Sequence, residues 1–259
     1  MISYEEVKAK SRRHNHDENV WVHPFSGRLA TPFSWLFINF GMSANQVTVV
    51  FFICGIAAAL VQPLDTFSAA VASFVLFRLH VLFDVCDGEV ARFRQQISKW
   101  GVYWDQLIHF FTYPLIASMM GFGRLQSGAE LWVMLPVVGL MLFKVLDLAA
   151  KNLYHRVRSQ SPKDTEQVAV VPVGGVSRRP RLVKRIVMRG MILSGFDGLL
   201  FFYALAYLAP AAHTGLSVET RDIVLVLYAL AFFLVALVRI VLIPLRGIIP
   251  KRGDRYSEG

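Results

Sequence analysis

The sequence predicts an all-α integral membrane protein: six transmembrane helices preceded by an N-terminal interfacial amphipathic helix, with both termini cytoplasmic. Three observations predict it. Of the 259 residues, 55% are hydrophobic and 17% charged, and the mean hydropathy of +0.48 is unlike that of a soluble domain. Several apolar stretches reach the roughly 20 residues needed to cross a hydrocarbon core about 30 Å thick. Lys and Arg cluster on every second connection, while the connections between carry almost none, one with Arg124 and one with Arg221, the pattern expected of cytoplasmic loops.

In chain order, Ser3 and Glu6 have the spacing of a capping box and predict a short first helix. His14, His16 and His23 lie among Asn15, Asp17, Glu18 and Asn19, and read as a solvated surface rather than a metal site. Residues 24–40 carry Phe25, Phe33, Trp35, Phe37 and Phe40 with the single cation Arg28. Pro24 and Pro32 are expected to interrupt this stretch, which suits a segment lying in the membrane interface. Ser43, Asn45 and Gln46 are a strong helix-start signal. The first span then runs to about Gln62, and Pro63 and Asp65 form a turn. A second helix starts near Thr66 and continues to about Phe93. A third begins near Gly101 and is expected to stop at Gly121-Phe122-Gly123, and a fourth covers about 129–153.

The longest polar connection, about 154–184, carries Pro162, Pro172, Gly174, Gly175 and Pro180 together with Arg156, Arg158, Lys163, Arg178, Arg179 and Arg181. A fifth span is expected near 191–211 and a sixth near 223–243, followed by a basic tail. The whole is one membrane domain over 1–259: an interfacial segment at 1–42, six helices over 43–250, and the tail at 251–259. The start of the chain is polar and shows no cleavable signal. The net charge of +9 reads as orientation and attraction to anionic lipid. No soluble nucleic-acid-binding module accompanies it, so nucleic acid is not an expected partner. Cys54 and Cys86 both fall in apolar helical sequence and offer neither a disulfide framework nor a CxxC metal spacing.

Charge inside the membrane points to function. Asp84, Asp87, Arg92, Asp105 and His109 lie against strongly apolar sequence. Three acids facing lipid would cost on the order of 10 kcal/mol, so they are expected to gather in a wet cavity around something positive. Helical spacing places Asp84, Asp87, Gly88, Ala91 and Arg92 on one stripe, and Asp105 and His109 on one face of the next helix. A turn near 97–100 makes those helices antiparallel neighbours. Gly88, Ala91 and Gly101 would permit close approach of either a helix or a ligand. Oxygen ligands favour Mg²⁺, Mn²⁺ or Ca²⁺, and the histidine leaves room for a softer metal. A divalent ion beside Arg92 makes a diphosphate site.

These residues resemble the signature of the CDP-alcohol phosphotransferase family, D-x-x-D-G-x-x-A-R, seven or eight residues, G-x-x-x-D-x-x-x-D. The match falls at Asp84, Asp87, Gly88, Ala91, Arg92, Gly101 and Asp105, and the helix start at 43–48 resembles the family's T-P-N-x-x-T. The resemblance implies an enzyme that transfers a phosphoalcohol unit from a CDP-alcohol to an acceptor hydroxyl, releasing CMP, in phospholipid or related lipid synthesis. It implies Asp84, Asp87 and Asp105 as ligands of one or two Mg²⁺ or Mn²⁺ ions. Gly88, Ala91, Arg92 and Gly101 would line the CDP pocket. It also implies a homodimer; the positive-inside rule places the site on the cytoplasmic side of a cell membrane, expected to be of the bacterial inner-membrane type.

The departure is His109, where the family has an aspartate proposed as general base. By position His109 is a base, beside Asp105, or a metal ligand, since a neutral imidazole can do either. Two alternatives stand beside the enzyme: a catalytically degenerate CDP-lipid-binding relative, and a small-substrate transporter. Of the remaining charges, Arg78 is expected to pair with an acid, and Lys144 with Asp147 three residues on. Asp197 and Arg239 could border an acceptor pocket. Arg178, Arg179, Arg181, Lys184 and Arg185 read mainly as orientation and contact with anionic lipid, and if the acceptor carries a phosphate, this strip and Arg189 would meet it. His80 and His155 have no evident partner.

Overall fold

Hydroxyl caps set the helix starts. The computed structural model describes residues 2–11, 24–159, 195–208 and 219–248. Ser43 closes a full capping box with Gln46 and opens α3 (Ala44–Leu60). Thr66 accepts from the Ala69 amide at the head of α4 (Phe67–Phe93). Ser98 accepts from the Gly101 amide at the head of α5 (Lys99–Gln126). Before them come α1 (Tyr4–Ser11) and α2 (Pro24–Asn39). After them come α6 (Met134–Ser159), α7 (Phe196–Ala206) and α8 (Thr220–Ile248).

Among the described residues all regular structure is helical, and four segments are long and apolar enough to cross a membrane: Ala44–Leu64, Phe67–Phe93, Leu131–Leu153 and Thr220–Val241. The chain is therefore an all-α, multi-pass membrane protein. At 28 residues α5 has the length of a span, about 42 Å at 1.5 Å per residue. Its first half is diluted by Lys99, Asp105 and His109.

Two expected interruptions are absent. Helix α2 runs straight through Pro32, with Pro24 as its first residue, where the missing N–H costs nothing. Helix α5 continues through Gly121 and Gly123. These glycines serve packing instead. A Cβ on Gly121 would lie 2.9 Å from a Val137 methyl, and one on Gly123 would lie 2.8 Å from the Gln62 carbonyl oxygen.

Helix α3 wedges between α4 and α5 and packs against both, whereas α4 and α5 share few close backbone contacts. The expected antiparallel pair is thus held apart at its backbone. One core joins the spanning helices through Phe77, Ile116, Met120, Leu140, Leu199 and Leu225. A second packs α1 and α2 onto the end of α4 through Val7, Ala30, Phe37, Leu82, Cys86 and Val90.

The end of the bundle opposite the Asp84–His109 turn is tied by ions. Arg124, 1% exposed, donates to both oxygens of Asp222 at 2.8 and 2.9 Å. It also lies 3.4 Å from Asp65 and from Glu219. Tyr207 donates to Asp65 at 2.5 Å, and Arg221 lies 2.8 Å from the same carboxylate. Burial alone would raise the Asp65 carboxyl. Hydrogen bonds from Ser127 and Tyr207 and the charges of Arg221 and Arg124 outweigh it and hold Asp65 below the usual carboxylate range.

Candidate active site

The wedge shape of α3 creates the site. Because α4 and α5 are splayed around it, their polar stripes meet through side chains rather than backbone. His109 Nε2 lies 3.5 Å from Asp84 Oδ1 and 3.4 Å from Asp105 Oδ1. One ligand atom from each of these three residues falls within 4.8 Å of the others. All three residues are partly buried.

These separations are too long for charge-assisted hydrogen bonds, which close to about 2.7–2.9 Å. They suit the spacing of donors around one ion. Two atoms each about 2.1 Å from a common centre, at tetrahedral to octahedral angles, lie about 3.0–3.4 Å apart. Asp105 Oδ1 is also buried without a hydrogen bond, so its contact with His109 is electrostatic and wrongly directed for donation. Two carboxylates and an imidazole converging with an unsatisfied oxygen fit a divalent cation. The cluster can hold one.

Asp87 stands beside this trio and is not part of it. Its Oδ2 accepts a 2.8 Å hydrogen bond from Thr48 Oγ1 on α3. Arg92 turns the other way, its Nε donating to the Ser11 carbonyl at the end of α1 at 2.5 Å. Among the described residues, nothing of a neighbouring helix crowds Gly88 or Gly101. A Cβ on Gly88 would meet only Arg92, at 3.2 Å, and one on Gly101 only Ser98 Oγ, also at 3.2 Å. Of the two roles the spacing allowed these small residues, helix contact is absent and space beside the carboxylates remains. Ala91 packs with the α1–α2 core.

The floor of the site is aromatic. His109 stacks on Tyr113, with centroids 5.6 Å apart and planes 19° apart. It meets His80 edge to face at 5.6 Å, and Phe51 lies 6.1 Å away. Phe77 and Phe196 complete the layer. Sequence reasoning missed Thr48, Phe51 and Tyr113. Only Thr48 carried a signal, as the last residue of the 43–48 helix start.

Below the floor lie the other membrane charges. Arg78 pairs with Asp197 at 2.8 Å, as expected of an intramembrane cation. The expected Lys144–Asp147 pair does not form. Asp147 pairs with Arg239 across to α8 at 2.6 Å, and Lys144 Nζ rests over the Tyr113 ring at 4.5 Å. The acid is thus paired across to a neighbouring helix rather than along its own. The histidines at 14, 16 and 23, the ring of His155 and the basic strip at 178–189 lie outside the described residues.

An apolar groove of about 560 Å³ runs between α3 and α5, from Asn45, Thr48 and Gly101 at the carboxylate end to Phe52 and Phe111 further in.

A bundle of membrane-spanning helices with a carboxylate–imidazole cluster at one end that could hold a cation defines a class, the polytopic membrane proteins with a metal-capable site between helices. The particular family follows from comparison. The CDP-alcohol phosphatidyltransferase family model matches residues 41–249, and the chain belongs to that family of enzymes. No curated protein matches the sequence.

Proposed function

We propose that the protein transfers a phosphoalcohol group from a CDP-alcohol to an acceptor hydroxyl, dependent on divalent metal, with release of CMP. The observation that carries this reading is the convergence of Asp84, Asp105 and His109, at signature positions, into a set that suits one cation. Asp84, Asp105 and His109 would hold Mg²⁺ or Mn²⁺, with Asp87 the ligand for a second ion or for a water on the first. When bound, the ion supplies positive charge against the phosphoryl oxygens and the departing phosphate.

The chain's own residues do the rest. Thr48 fixes the Asp87 carboxylate through its 2.8 Å hydrogen bond. Gly88 and Gly101 leave room for the nucleotide, and Arg92 places a guanidinium at the same end of α4. The acceptor oxygen forms a bond to the β-phosphorus while the bond from that phosphorus to the bridging oxygen breaks, and CMP leaves with that oxygen. The hydroxyl proton goes to His109 Nε2 where that nitrogen is not engaged with the ion, or otherwise to Asp105 beside it. The groove between α3 and α5 opens at Thr48 and Gly101 and suits the hydrocarbon chain of a lipid substrate. That supports a reaction in which donor or acceptor is a membrane lipid.

The same reading takes the chain as one domain of six spans with α2 as an interfacial helix, both termini and the site on the cytoplasmic face of a cell membrane, and a homodimeric state. The basic connections support the orientation. The test is CMP release by purified protein across a panel of CDP-alcohols and acceptor alcohols, with and without Mg²⁺ or Mn²⁺. Metal-dependent release supports the reading. No release across the panel, together with no metal-dependent CDP binding, contradicts it.

A further inference from the structure

His80 is a buried histidine that the reaction above does not use. It lies four residues before Asp84 on α4, on the same face, and is 0% exposed. Its Nδ1 is 2.8 Å from the Phe51 carbonyl oxygen. A carbonyl only accepts, so Nδ1 carries the proton and donates, and Nε2 is left as a bare lone pair. That Nε2 is buried and has no hydrogen-bond partner.

Leaving a buried acceptor unsatisfied is costly, a cost that a phenylalanine in the same aromatic layer would avoid. The ring is also firmly held. A Cβ on Gly55 would lie 2.8 Å from His80 Nδ1 and 2.7 Å from Thr112 Cγ2, so α3 has a glycine where His80 and Thr112 need the space.

The complementary orphan is on the neighbouring ring. His109 Nδ1 is buried and has no partner, and its ring meets that of His80 edge to face at 5.6 Å. His109 Nε2 is the nitrogen facing Asp84 and Asp105. To hold a cation or to accept a proton, that Nε2 must be bare, which requires the proton on Nδ1. A ligating histidine nearly always donates this second N–H to an acceptor behind it. One orphan nitrogen needs an acceptor, and the other is an acceptor without a donor.

We propose that His80 is the positioning residue of His109: its bare Nε2, locked by the Phe51 carbonyl, accepts the His109 Nδ1–H directly or through one water and so presents His109 Nε2 to Asp84 and Asp105. The chain then runs from the Phe51 carbonyl through two imidazoles to the cluster. No covalent step is involved. Thr112 Oγ1 is another buried atom without a partner in this region, and its hydroxyl is the competing donor to His80. The proposal rests on the metal-site reading but not on the reaction.

The test is Mn²⁺ affinity of the full chain in detergent micelles, read by titration of the free ion. His80→Phe keeps the ring and removes the acceptor, and should weaken Mn²⁺ binding about 10-fold or more. His80→Gln restores an acceptor and should recover most of the loss, while Thr112→Val should bind as the parent does. A folded His80→Phe protein with parental affinity overturns the proposal. So does a loss in Thr112→Val without one in His80→Phe.

Should His80→Phe fail to fold, the parent protein decides. With Mg²⁺ bound, the His109 Hδ1 resonance should be protected from water exchange and show a nuclear Overhauser effect to the His80 ring. A freely exchanging Hδ1 overturns the idea. CMP release is measured separately. Protein that passes these tests but releases no CMP leaves the pairing intact and removes only the proposed reaction.

Discussion

At the scale of single residues, the chemistry rests on three ligand atoms and one hydrogen bond. Asp84→Asn and Asp105→Asn each remove a negative charge from a cluster that has only two, so each should abolish measurable Mn²⁺ binding in the titration described above. Thr48→Val deletes the 2.8 Å bond to Asp87. A hydrogen bond to a charged group contributes about 1.5–3 kcal/mol, so CMP release should fall at least about 10-fold, with the protein still folded. The position most at odds with the family signature is His109. If it accepts the proton, His109→Ala should remove activity and His109→Asp should retain some; equal activity in all three proteins would show that it is not the base. The trio was legible in the sequence because helical spacing alone puts Asp84 on one stripe and Asp105 with His109 on another. The separation of Asp87 from that trio was not legible, because it depends on a threonine 39 residues away in the chain.

At the scale of helices, polar caps were easy to read and glycines were not. Ser43 and Thr66 begin α3 and α4 where their sequences said, because a cap is a local interaction of three or four residues. Gly121 and Gly123 read locally as a stop, yet α5 passes through both because Val137 and the 62–63 backbone press against them. That pressure comes from distant residues and leaves no local trace. Gly123→Ala would force its methyl to within 2.8 Å of the Gln62 carbonyl and should destabilise the fold by about 1–3 kcal/mol in a denaturant titration. Gly55→Ala probes the opposite end of the wedge. Its methyl would push on His80 and Thr112, so it should weaken Mn²⁺ binding although residue 55 touches no ligand atom. The splaying of α4 and α5 was likewise hidden, since a short turn between two helices says nothing of a third helix inserted between them.

At the scale of the whole molecule, the two ends of the bundle have different tasks. The Asp65–Arg124–Asp222 end fastens three connections together. Removing Arg124 would strand buried Asp222, a change that typically costs about 3–5 kcal/mol. Asp65 makes this end sensitive to acid. Its folded carboxyl is held below the ordinary value, near 3.9 in an unfolded chain. Its contribution is therefore fully present above about pH 4 and is lost as pH falls through the lower folded value. Asp65→Asn should lower the Tm at pH 7, and the difference from the parent should shrink towards zero below about pH 4. An undiminished gap at low pH would assign the effect to packing instead. Membrane class and the alternation of basic loops were legible in composition, but the ion network was not, because Asp65, Arg124 and Asp222 come from three separate connections. The opposite end carries the proposed chemistry. The most direct measurement is CMP release by the parent and Asp84→Asn proteins as Mg²⁺ or Mn²⁺ is titrated against a chelator. Metal dependence should be saturable in the parent and lost in Asp84→Asn; release that persists unchanged in chelator, or is equal in both proteins, would contradict a metal-dependent reaction at this cluster.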